Sequence, residues 1–93
     1  MKALWNGKII AESEKTIELE NVLYFPLESL DRQLLRPSET TTTCPWKGQA
    51  TYWDVSVDGE TARDAAYAYE SPKEAAKHIE GYVAFWRGVE ISE

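Results

Sequence analysis

The segment from Ala50 to Glu60 most restricts what this chain can fold into. Thr51, Trp53, Val55 and Val57 alternate with Ala50, Tyr52, Asp54 and Ser56, which is the period of two of a β-strand. Asp58-Gly59 follows directly. Both residues tolerate positive φ, so the pair closes a two-residue hairpin. A return strand from Glu60 to about Tyr69 is therefore expected, although its alanines also suit a helix. This turn sets Val57 opposite Glu60, Val55 opposite Ala62, Asp54 opposite Arg63 and Trp53 opposite Asp64. The register predicts an Asp54–Arg63 ion pair. It also puts the Asp64 carboxylate on the face of Trp53, where it needs a partner. Arg36 and Lys47 are the candidates.

The other segments also read as short strands. Asn6-Gly7 predicts a hairpin over residues 2–13, pairing Trp5 with Lys8, Leu4 with Ile9 and Ala3 with Ile10. Ile17 and Leu19 alternate with charges in a third strand, and Glu20-Asn21 is a turn. Val22-Leu23-Tyr24-Phe25 is a continuous apolar run, as in a strand covered on both faces, and Pro26 ends it. Leu27 to Leu30 suits a helical turn, and Leu34-Leu35-Arg36 a short strand stopped by Pro37. Ser71-Pro72-Lys73-Glu74 has an N-cap, a first-turn proline and a capping-box glutamate, predicting a helix near 72–80 that buries Ala75, Ala76 and Ile79. Tyr82 to Trp86 is a final strand before a frayed acidic tail containing Glu90 and Glu93. The expected fold is mainly β: one antiparallel two-sheet or open-barrel (tent-like) domain over residues 1–93, with one short helix near 72–80.

Composition narrows the function. The apolar fraction of 43% and charged fraction of 28% suit a globular chain. Ten basic against sixteen acidic side chains, a net charge of −6, argue against a nucleic-acid partner, which needs many cations to neutralise phosphates. Arg32, Arg36 and Lys47 are the only cations between Lys15 and Arg63. A single cysteine builds neither an internal disulfide nor a cysteine-rich zinc site, so no metal or cofactor is expected. No apolar run approaches the ~20 residues of a membrane span, and a turn stands where a signal peptide needs its apolar stretch. A soluble cytoplasmic protein, without a membrane partner, is the expectation.

The chemistry-bearing residues concentrate between Thr40 and Trp53. Cys44 is a nucleophile if a cation or base favours its thiolate, and otherwise a small buried hydrophobe. Lys47 sits in the turn Pro45-Trp46-Lys47-Gly48, which suits an anion but is not a phosphate-binding loop, since the G-x-x-x-x-G-K-[ST] pattern is missing. Thr40 and Thr42 face one way and Thr41 and Thr43 the other, as a pocket lining or as an edge strand. Asp64 is either a base or ligand anchor, or the acceptor that fixes strand pairing.

Several linked runs carry a family resemblance: Leu35-Arg36-Pro37-Ser38, Cys44-Pro45-Trp46-Lys47-Gly48-Gln49-Ala50-Thr51-Tyr52-Trp53, Asp64 through Pro72, and Gly81-Tyr82-Val83-Ala84-Phe85. The chain resembles domain-of-unknown-function family four-two-seven along nearly its whole length. The resemblance implies a small β-rich domain of bacterial or fungal type with no established reaction. Its motif maps onto Arg36, Ser38, Cys44, Lys47, Trp53, Asp64 and Tyr69. The family also carries a nucleotidyltransferase-like label. This chain has neither the paired metal-binding carboxylates nor the Gly-Ser signature of that chemistry. Relatives that carry histidine in the segment matching Thr40 to Thr43 imply a metal site, which four threonines do not support here.

The expected function is binding of a small polar or anionic ligand in a pocket near the Cys44–Gly48 turn, through Arg36, Ser38, Thr42, Lys47, Trp53, Asp64 and Tyr69. One alternative is an enzyme using Cys44 or Asp64 with Lys47. Another is a structural protein that homodimerises and takes no ligand. The partner is a small molecule, and the chain is a monomer or a homodimer.

Overall fold

In the computed structural model, which describes residues 1–93, two-residue turns organise the strands. Asn6 and Gly7 have φ of 52° and 77°, and Asp58 and Gly59 have 50° and 81°. Positive φ at both positions matches the right-handed twist of the flanking strands. The first turn joins β1 (Lys2–Trp5) to β2 (Lys8–Glu12). The second joins β6 (Gly48–Val57) to β7 (Glu60–Ala68). Glu20-Asn21, also at positive φ, joins β3 (Ile17–Leu19) to β4 (Val22–Pro26). The remaining strands are β5 (Leu35–Cys44), β8 (Tyr82–Phe85) and β9 (Glu90–Ser92).

Two antiparallel sheets result, and they do not close into a barrel. One has the order β2-β1-β9 and the other β3-β4-β8-β7-β6-β5. Phe25, Val55, Val57, Val83 and Phe85 of the large sheet pack with Ala3, Ile10 and Ala11 of the small one. The other face of the large sheet carries Tyr24, Ala50, Tyr52 and Ala84, covered by Ala76 and Ile79. β4 is covered on both sides, as its apolar run predicts: Tyr24 and Phe25 are both fully buried.

Four expectations are corrected. The helix near 72–80 is a 3₁₀ segment, Glu74–Ile79, capped by Lys73 without a side-chain bond and broken at Ala76 (φ −119°). The Lys73 N–H is already committed to the Lys47 carbonyl at 2.9 Å, and Gly81 turns the chain at φ 82°. The stretch between is too short to nucleate a stable α-helix. Its inward residues are Ala76 and Ile79, whereas Ala75 is exposed. Pro37 does not stop β5, because this strand is a sheet edge, where a missing N–H is tolerated. The tail is not frayed at residues 90–92: β9 pairs with β1, Ala3 opposite Ile91. In the first hairpin Leu4 pairs with Ile9, but a bulge then sets Ala3 opposite Ala11, not Ile10.

Strand β4 offers a contrast between adjacent residues. Phe25 fills the space between the sheets, meeting Phe85 edge-on at 5.7 Å. Tyr24 points the other way, and its buried hydroxyl lacks a hydrogen-bond partner. Phe25→Ala should cost about 3–5 kcal/mol in urea denaturation. Tyr24→Phe should be neutral or stabilising by up to about 1–2 kcal/mol, since it removes only an uncompensated polar group. A clear loss on Tyr24→Phe would show that the hydroxyl is bonded after all.

Candidate functional site

The residues expected to share one pocket fall into three groups, because two bulges shift the register around β6. Between the pairs Val55–Ala62 and Trp53–Ala66, Asp54 alone faces Arg63, Asp64 and Ala65. Between the pairs Pro37–Trp53 and Thr41–Thr51, Tyr52 alone faces Ser38, Glu39 and Thr40. Trp53 is therefore opposite Ala66, not Asp64, and no Asp54–Arg63 ion pair forms. Asp54 instead accepts from the Asp64 N–H at 2.8 Å.

The first group centres on Asp64. Its φ of 55° is the left-handed conformation that the bulge imposes. The carboxylate reaches past β6 to accept from Ser38 Oγ at 2.5 Å and Thr40 Oγ1 at 2.8 Å. Its carbonyl accepts from Trp86 Nε1, and the Trp86 N–H binds the next carbonyl, that of Ala65. The Arg87 guanidinium lies over the Trp86 ring, 4.5 Å from its centroid. The expected cationic partners, Lys47 and Arg36, are elsewhere. Hydroxyl donation from Ser38 and Thr40, outweighing partial desolvation and helped by Arg87 and Arg63, holds the Asp64 carboxyl below its usual value. Such a carboxylate is a weak base near neutrality.

The second group centres on Lys47, whose side chain is buried despite its charge. Its Nζ donates to Glu20 Oε1 at 2.8 Å. It lies 5.3 Å from the Tyr69 ring centroid and 5.4 Å from that of Trp46, within cation–π range. Burial alone pulls the ammonium down, but the Glu20 hydrogen bond and the nearby Tyr69, Glu20 and Cys44 outweigh it, so the pKa is raised. The turn is clamped from outside by Lys73 Nζ on the Pro45 carbonyl at 2.7 Å. Gly48 takes φ 114° at this turn, a backbone conformation that a residue with a side chain rarely adopts. Cys44 is half-buried against the tyrosine cluster. Thr42 meets the Tyr52 hydroxyl at 3.0 Å. Burial first, then the surrounding Tyr69, Glu20 and Cys44, push Tyr24 up to about 12. Burial also pushes Tyr67 up to about 12.

The third group is a cavity of about 490 Å³, between the 27–35 segment and the large sheet. Trp53 is the one expected ligand-binding residue that lines it; Leu27, Leu30, Leu35 and Val83 supply more apolar wall. Arg36 is outside, exposed, its Nη1 donating to the Gln33 and Leu35 carbonyls. Arg32 and Glu70 are the lining residues that sequence reasoning missed. Arg32 belongs to no motif, Glu70 is a silent member of the Asp64–Pro72 run, and only the folded sheet brings them beside Trp53. Glu20 is a turn residue by sequence, with no local sign that it pairs with Lys47 twenty-seven positions on.

No group of three or more His, Cys, Asp or Glu side chains gathers to hold a metal. No helix is long and apolar enough to cross a membrane. Among protein families, the one described as a domain of unknown function, DUF427, matches residues 1–92. No curated protein matches the chain.

Two titrations follow. Asp64 has a lowered folded-state pKa, so its stabilisation is present above the usual carboxylate value and lost as pH falls through the folded one. Asp64→Asn should thus be less stable at neutral pH, with the deficit shrinking toward acid in urea midpoints. A deficit independent of pH would remove the carboxylate charge as its cause. In alkali the sign reverses. Tyr24 and Tyr67 are raised from 10.0 to about 12, so their contribution is intact below about pH 10 and lost as pH rises toward 12. Tyrosinate absorbance should show three of the five tyrosines, Tyr24, Tyr67 and Tyr69, ionising later than usual, and Tyr24→Phe should delete one of them.

Proposed function

The chain belongs to the DUF427 family, and we propose that it is a small-molecule-binding domain whose ligand occupies the cavity beside Trp53. The observation carrying this reading is the cavity itself. Its volume of about 490 Å³ lies within the range of small-molecule sites, roughly 300–1,000 Å³. Seven of its twelve lining residues are hydrophobic, with a few polar groups among them, the usual division between affinity and orientation.

The chemistry of the other two groups supports the choice. Lys47 has its charge met by Glu20 and two aromatic faces, so an incoming anion would have to displace a formed ion pair. Asp64 uses its N–H, its carbonyl and both carboxylate oxygens on protein partners. Trp53 is different: its indole N–H makes no hydrogen bond within the protein, and its partly buried ring lines the cavity. A ligand with an apolar body and polar ends fits better there than the fully polar anion expected at the turn.

The test uses N-phenyl-1-naphthylamine, an uncharged dye that brightens in apolar sites. Wild type should enhance its fluorescence saturably. Trp53→Ala should weaken binding about tenfold or more, and Arg36→Ala, outside the cavity, should not. At a hundredfold excess over Kd, a ligand should also stabilise the fold by about 2.7 kcal/mol. Equal dye binding by wild type and Trp53→Ala would overturn the proposal.

A further inference from the structure

We infer that the cavity takes a short apolar peptide with free ends, its ammonium toward Glu70 and its carboxylate toward Arg32. This rests on the cavity being a ligand site and adds what the ligand is. The argument begins with the two charged groups. Thr51 Oγ1 donates to Glu70 Oε1 at 3.0 Å at the exposed rim of the cavity, which orients the carboxylate and leaves Oε2 without a protein partner. Glu70 has no cationic partner in the protein. Arg32 also lines the cavity, and its guanidinium forms no ion pair or hydrogen bond. The third charged lining residue, Glu80, is 3.4 Å from Lys77 and so already has a counter-charge. One fixed anion and one cation with five donors are thus left unmatched on the same cavity.

Register shows that the two lie toward opposite ends. Thr51 holds Glu70 at its own level on β6, and Leu35, which follows the Arg32–Leu34 turn, pairs with Val55. Four residues of strand separate those levels, roughly 14 Å at about 3.4 Å per residue. A single amino acid, whose two charges share one carbon, is too short to meet both. An extended chain of three residues spans roughly 10 Å, and long side chains at Arg32 and Glu70 cover the rest. Trp53 lies between these levels, with Leu35 and Val83 toward the two ends of the same apolar wall. Trp53 also brings an indole N–H without a protein partner, a donor that suits a peptide carbonyl. A guanidinium fork suits a terminal carboxylate, which it can bind with two parallel hydrogen bonds.

The experiment is calorimetric titration at low salt with trileucine, its N-acetyl form, its C-terminal amide, the doubly capped peptide and free leucine. Trileucine should bind, and each single cap should weaken it about tenfold or more. In Glu70→Gln, acetylation should no longer matter; in Arg32→Gln, amidation should no longer matter. Both residues are at the cavity surface, so these variants should fold, which circular dichroism checks. Equal binding of free and doubly capped trileucine, or equal binding of leucine, would overturn the two-ended recognition. Dye binding that depends on Trp53 but no peptide binding would overturn this inference and leave the cavity reading standing. Absence of both would overturn both.

Discussion

The structure depends on how one aspartate keeps three strands in step. Hairpin ladders are stiff in register, because a slip of one residue turns every side chain to the other face. β6 nevertheless has an insertion opposite it on each side, three residues facing Asp54 and three facing Tyr52. Unsupported, two such interruptions would leave several backbone groups without ladder partners. Asp64 ties them together. Its N–H, carbonyl and carboxylate reach Asp54 of β6, Trp86 just after β8, and Ser38 and Thr40 of β5. The left-handed backbone at Asp64, of order 1–3 kcal/mol for a non-glycine residue, is offset by those four bonds.

Sequence reading succeeds where the determining physics is local. Asn6-Gly7 and Asp58-Gly59 are legible because positive φ is a property of those residues. The alternation in β6 is legible because burial on one face leaves a period of two. Both sheets, and the packing of β4 on two sides, follow from such signals. It fails where a distant partner decides. Nothing between Glu60 and Tyr69 announces that three residues bulge there, so the predicted Trp53–Asp64 pairing was off by two positions. The 72–80 helix has every local capping signal, yet Lys73 is held by the Lys47 carbonyl and the segment tightens to 3₁₀. β9 looks like a solvated tail because its pairing with β1 spans almost the whole chain.

The same distinction applies to the candidate residues. The segment from Cys44 to Trp53 is rich in reactive types, which drew attention to one site. Alternation along β6 instead sends Tyr52 and Trp53 to opposite faces of the sheet. Lys47, Cys44 and Thr42 go with the tyrosine side, and Trp53 goes with the cavity side. Tyr24 and Tyr52 are buried on one face of the large sheet, and Trp53 lines the cavity on the other. Arg32 and Glu70 are ordinary surface residues by type, and only the closing of β5 and β7 around β6 sets them at one cavity.

The position of β5 at the rim of its sheet has a further consequence, for association. A long rim strand offers a row of open donors and acceptors on which another chain can grow, the first step toward fibrils. β5 is ten residues long and would be a hazard if it were regular. Pro37 removes one donor, and the Ser38–Thr40 bulge interrupts the row and draws two of its hydroxyls inward to Asp64. What remains open is the short run from Thr41 to Cys44. The device that keeps the sheet in register thus also shortens the template on which copies of the protein would otherwise polymerise.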